Sequence, residues 1–118
     1  MRPAGAIKVL MRSLLFSMLV VAALSAEPGK QTFRGVITDS MCAQANHSQM
    51  QMGPTDAECT KACILEHGAT YVLYDGHAAY DLSDQQSPEK FAGKRVTISG
   101  TLNPKTHTIQ VNSIAAAK

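Results

Sequence analysis

Asp75-Gly76 stands between two short runs rich in aromatic and aliphatic residues, Thr70–Tyr74 and His77–Leu82. An Asp-Gly pair readily takes the left-handed conformations that a two-residue hairpin loop demands, so this stretch predicts an antiparallel hairpin. Strand alternation puts Tyr71 and Leu73 on one face and Val72 and Tyr74 on the other. A lone hairpin is at best marginally stable in water, so the chain must supply further strands. Thr32–Ile37 is one, closed by Thr38-Asp39-Ser40. Arg95–Leu102 alternates cleanly, with Val96, Ile98 and Leu102 inward. Asn103-Pro104-Lys105-Thr106 turns the chain into a last strand, Thr108–Ile114, with Ile109 and Val111 inward.

Two segments depart from this period. Residues 41–55 are polar and methionine-rich without periodicity, which predicts a loop. Thr55-Asp56-Ala57-Glu58 matches a capping box and opens a helix over Asp56–His67, with Gly68 suited to its end. Cys59, Ala62 and Cys63 share one side of that helix, while Leu65 falls among the charges. Ser87-Pro88-Glu89 starts a second, short helix that Gly93 stops. The resulting fold class is mainly β: a small five-stranded OB-like Greek-key barrel with a helical, cysteine-containing insertion after strand 1. Gly35 and Gly100 lie mid-strand, where a small barrel needs tight bends or bulges. A meander packed on the helix is the alternative.

The N-terminus predicts an address. Arg2, Lys8 and Arg12 precede an uncharged apolar run over 14–24, and Ala23-Leu24-Ser25 and Leu24-Ser25-Ala26 offer cleavage sites. The run is short for a spanning helix, which needs about 20 residues. The expected organisation is a cleaved signal peptide (1–26), a short linker (27–31), an OB-like domain (32–114) and a frayed tail (115–118). Localisation is then periplasmic or secreted, with no stable membrane anchor after cleavage. The formal charge of the whole chain is +2. Three of its eleven basic residues but none of its nine acids fall in 1–26, so the remainder carries −1. That balance gives no reason to expect nucleic acid as a partner.

Gly35-Val36-Ile37-Thr38-Asp39-Ser40-Met41-Cys42, Cys59-Thr60-Lys61-Ala62-Cys63, Tyr71-Val72-Leu73 and the run Phe91–Leu102 occur in that order. With them the chain resembles a family of small exported, OB-fold-like bacterial domains of unknown function, abundant in acidobacteria and related soil bacteria. The D-S-M-C plus C-x3-C pattern is the specific part, and the likeness covers nearly all of residues 27–118. The resemblance implies export and an OB-like barrel, and it implies no catalytic residues.

Three cysteines, Cys42, Cys59 and Cys63, are an odd number for an exported chain. Export favours a disulfide. Cys59 and Cys63, four apart on a helix, are poorly oriented to bond each other, so Cys42 paired with Cys59 or Cys63 is the expected bridge, leaving one free thiol. The alternative reading counts the whole cluster: Cys42, His47, Met50, Met52, Cys59 and Cys63. Thiolate and thioether select Cu(I), and three thiolates with an imidazole also suit tetrahedral zinc. A thiol-redox role ranks third, since C-x3-C is not the C-x-x-C of thioredoxin-like proteins. Asp39, three before Cys42, suits a turn cap or an orienting group.

Tyr71, Tyr74 and Tyr80 offer a stacking face for a small molecule, peptide or polymer, or else they are core. His67, His77 and His107 sit at a helix end or turns and read as solvated. The sequence holds no Ser-His-Asp order, phosphate loop or HExxH helix, so no catalytic residues are expected. The expected function is a non-enzymatic exported binding module without cofactor, stapled by one disulfide. A copper or zinc binder is the runner-up.

Overall fold

Five strands close into a ring in which β1 (Gln31–Asp39), β2 (Tyr71–Tyr74), β3 (Ala79–Leu82), β5 (Thr108–Ala116) and β4 (Arg95–Asn103) follow one another. The structure is a computed structural model and describes residues 29–118, so the predicted signal peptide lies outside the described residues. Every neighbouring pair is antiparallel except β3 and β5, which pair in parallel through Asp81–Thr108 and Leu82–Ile109 and close the ring. The one α-helix among the described residues, α1 (Asp56–His67), lies between β1 and β2 as expected. Among the described residues no helix is long and apolar enough to cross a membrane.

The period-2 pattern explains the ring's interior. Ile37 from β1, Tyr71 and Leu73 from β2, Val96 and Ile98 from β4, and Ile109 from β5 meet Leu82 and Ala92 in one buried core. Phe33, Tyr80, Leu102, Val111 and Ile114 pack around it. Gly35 and Gly100 mark close approaches of neighbouring strands: a Cβ would meet the Tyr74 carbonyl oxygen at one and that of Gln110 at the other. The β4–β5 register also shifts between Ser99 and Gly100. The last strand runs on to Ala116, with Thr97 opposite Ala115 and Val96 opposite Ala116. The expected frayed tail is therefore ladder for two residues more, because the long β4 offers partners there.

The helix begins where the capping chemistry places it. The Thr55 hydroxyl accepts the Glu58 amide at 3.2 Å and donates to the Glu58 carboxylate at 3.1 Å, so Glu58 closes the box on the hydroxyl and not on the Thr55 amide. Gly68 ends the helix at φ 68°. Ala57 and Ile64 turn toward the ring's core, while Cys59 and Cys63 occupy the neighbouring stripe. Leu65 is left exposed among the charges. The predicted short helix is a single 3₁₀ segment, Ser87–Phe91, with Pro88 in its first turn.

Candidate metal centre

The end of β1 sets one wall of the site. Asp39, fully buried, accepts the amides of Met41 and Cys42 on Oδ1 at 3.0 and 2.9 Å and so caps a 3₁₀ turn over Ser40–Cys42. The Thr38 hydroxyl donates to the Cys42 carbonyl at 2.8 Å and fixes the other side of that turn. The chain then folds back tightly: the Ala45 amide donates to the Cys42 carbonyl at 2.8 Å, and Ala45 takes the left-handed conformation, φ 57°. An alanine there is strained by roughly 1–2 kcal/mol, and the turn it permits returns His47 toward Cys42. One ligand atom from each of Asp39, Cys42 and His47 lies within 4.8 Å of the other two, and all three residues are buried.

Helix α1 supplies the second wall. The Cys59 thiol donates to the Met50 carbonyl at 2.9 Å and accepts the Met52 amide at 3.3 Å, which clamps the methionine segment onto the helix. One turn on, the Cys63 thiol stands 4.0 Å from the Met50 Sδ. Burial, then the Asp39 carboxylate, then the neighbouring Cys59 thiol push Cys42 above its ordinary value. The same causes, with Cys42 added, push Cys63 up to about 11. Residues far apart in sequence thus share one electrostatic environment.

Two atoms in this cluster have no hydrogen-bond partner: Asp39 Oδ2 and His47 Nδ1, both buried. Buried polar atoms without partners are rare, and each one costs about 1–3 kcal/mol. A carboxylate oxygen and an imidazole nitrogen are both donors to a cation. The donor set therefore fits a metal ion, with Cys42, His47 and Asp39 at its centre and Cys59, Cys63 and Met50 beside them.

The predicted ligands are brought together with one exception. Cys42, His47, Met50, Cys59 and Cys63 all adjoin the site, whereas Met52 touches it through its amide alone among the contacts described. Asp39 joins them; its spacing from Cys42 announced the cap but not the free oxygen. The expected disulfide is a correction. All three cysteines are free thiols, and Cys59 and Cys63 stand 4.4 Å apart, against about 2.05 Å for an S–S bond. The expected bridge from Cys42 to either of them is not formed: the Cys59 sulfur is engaged by the Met50 carbonyl and the Met52 amide, and the Cys63 thiol faces the Met50 thioether.

The tyrosines do not form one face. Tyr71 is core, Tyr74 points to the other side of β2, and Tyr80 packs on Phe33 with ring centres 5.9 Å apart. His107, exposed as expected, stacks on Tyr80 at 4.7 Å. His67 and His77 are exposed as well. No family model matches the chain, and neither the curated proteins nor the solved structures contain a match to it.

Proposed function

We propose that this chain is an exported, OB-like protein that binds a thiophilic metal ion, Cu(I) foremost, between the end of β1 and helix α1. The observation that carries this reading is that two residues clustered with Cys42, Asp39 and His47, each keep a buried donor atom without a partner, Oδ2 and Nδ1. A protein that left them without a partner would bear their desolvation for nothing; a cation satisfies both. Zinc sites are built from thiolate, imidazole and carboxylate, and the thioether of Met50 beside Cys63 adds the ligand type that favours Cu(I). Raised thiol pKa values also disfavour thiol exchange, which needs a ready thiolate.

Two further observations support the setting. The ring order and the β3–β5 closure support an OB-like Greek key, with the 3₁₀ segment between β3 and β4 and α1 as an insertion after the first strand. The charged, apolar, small-residue order of 1–26 supports export, and the D-S-M-C pattern supports kinship with the acidobacterial domains it resembles.

The test is an anaerobic titration of the reduced protein with Cu(I) and with Zn(II) against coloured chelators. One Cu(I) per chain is expected to bind. Cys63→Ser weakens that binding about 100-fold, the upper end of the loss when a supporting group is removed, while the far-ultraviolet spectrum stays unchanged. A protein that retains no stoichiometric metal overturns the reading.

A further inference from the structure

Above the thiol cluster the surface opens into a cleft of about 470 Å³, lined by Met41, Cys42, Ala43, Gln44, Asn46, Gln49 and Met50. Its floor is shared with the metal centre, because Cys42 and Met50 belong to both. The lining carries no charged side chain: it includes three neutral amides and Met41, a residue 46% exposed. An exposed methionine alone is ordinary. This one starts from a fixed backbone, since the Asp39 Oδ1 that accepts the Cys42 amide also accepts the Met41 amide.

Three residues with soft side-chain donors, Met41, Cys42 and Met50, therefore line the cleft, and the Met50 Sδ leads on to the Cys63 thiol 4.0 Å away. Hard divalent cations gain less from such a lining, which offers them no carboxylate. On the reading that the cluster binds Cu(I), we infer that this cleft is the port through which Cu(I) is exchanged with an external soft-ligand complex, and that Met41 is its first, transient ligand. The exchange is associative. The Met41 Sδ adds to the incoming Cu(I) as one donor ligand leaves; Cys42 displaces the remaining donor ligand, Cys63 then displaces Met41, and each thiol releases one proton to solvent as it binds. Copper stays Cu(I) throughout, so no electron is transferred and no oxidant is needed. Delivery outward is the same sequence reversed.

The port separates rate from affinity. Met41→Leu keeps the bulk of the side chain and removes the sulfur. In anaerobic stopped-flow, with Cu(I) supplied as its bis-bathocuproine disulfonate complex, this variant takes up copper about tenfold more slowly than the parent chain, the size expected for a supporting ligand. Its equilibrium affinity stays within about twofold, because Met41 is no resident ligand. Met41→Cys, which restores a soft donor, recovers the rate. Unchanged uptake by Met41→Leu overturns the port while leaving the metal centre standing. An affinity that falls in step with the rate also overturns it, since Met41 is then a permanent ligand. Failure of the parent chain to take any Cu(I) from the chelator overturns the metal reading itself.

Discussion

Asp39 uses its two carboxylate oxygens differently: one holds the turn, and the other is free for the proposed metal ion. Oδ1 caps the turn that presents Met41 and Cys42, while Oδ2 is buried without a partner. A buried oxygen left without a partner weighs against the metal-free fold, and after burial itself the Asp39 carboxylate is the next cause that raises the two nearby thiols. Asp39→Asn keeps an oxygen for the cap and removes the charge. The metal-free protein then gains about 1 kcal/mol in urea unfolding with chelator present. Cu(I) affinity in chelator competition falls about tenfold in the same variant. A variant that loses both would mean that Asp39 is structural only. The sequence announced the cap through the Asp39–Cys42 spacing, and it announced the thiols and His47 by type. It could not announce that Cys63 and Asp39 share one electrostatic neighbourhood, because that depends on how the helix docks. Nor does residue type show whether two thiols bond or stand side by side. The methionine segment decided it against the expected bridge to Cys42, because Met50 and Met52 engage the two helix thiols.

The helix was the most legible element, since its start and stop are local chemistry: Thr55 at one end, Gly68 at the other. What the sequence left out is the surface it docks on. Gly93, at φ 75°, follows the 3₁₀ segment and donates its amide to the Ile37 carbonyl at 2.8 Å, tying the approach to β4 onto β1. A Cβ on Gly93 would sit 2.8 Å from the Ala57 amide nitrogen, so the absent side chain is what lets the first turn of α1 close on the ring. Gly68 shares the left-handed conformation but has open space around its missing Cβ. The two alanine variants therefore separate strain from docking. Gly68→Ala costs about 1 kcal/mol, the left-handed penalty alone, and leaves Cu(I) binding intact. Gly93→Ala costs about 2–4 kcal/mol, because overpacking against the helix backbone adds to that penalty, and it weakens Cu(I) binding by shifting Cys59 and Cys63. Equal costs in urea unfolding would show that Gly93 serves its turn and not the helix.

For the whole molecule, alternation in β4 and β5 and the Asp-Gly hairpin made five strands readable. Closure through the parallel β3–β5 pair was not written in any one segment, since two short registers far apart in sequence make it. A ring this small buries a modest core and is marginally stable, so a ligand bound only by the folded state should show in its melting. At a free Cu(I) concentration 100 times the dissociation constant, stabilisation is about 2.7 kcal/mol. For a domain of this size, that raises the melting midpoint by roughly 10–20 °C. The increment depends on pH in a fixed direction. Cys42 and Cys63 lie above the ordinary 9.0, Cys63 at about 11, so both are protonated at neutrality and metal must displace their protons. Each step up in pH therefore strengthens binding, and the copper-induced shift is larger at pH 8 than at pH 6. The metal-free protein behaves oppositely. A thiol whose folded value is raised stabilises the fold fully below its unfolded value and loses that contribution as pH climbs toward the folded one, so stability falls between 9.0 and about 11. Calorimetric scans at pH 6, 8 and 10, with and without Cu(I) under argon, read both trends. A copper shift of equal size at pH 6 and 8 would mean that the metal binds without displacing the thiol protons, away from Cys42 and Cys63.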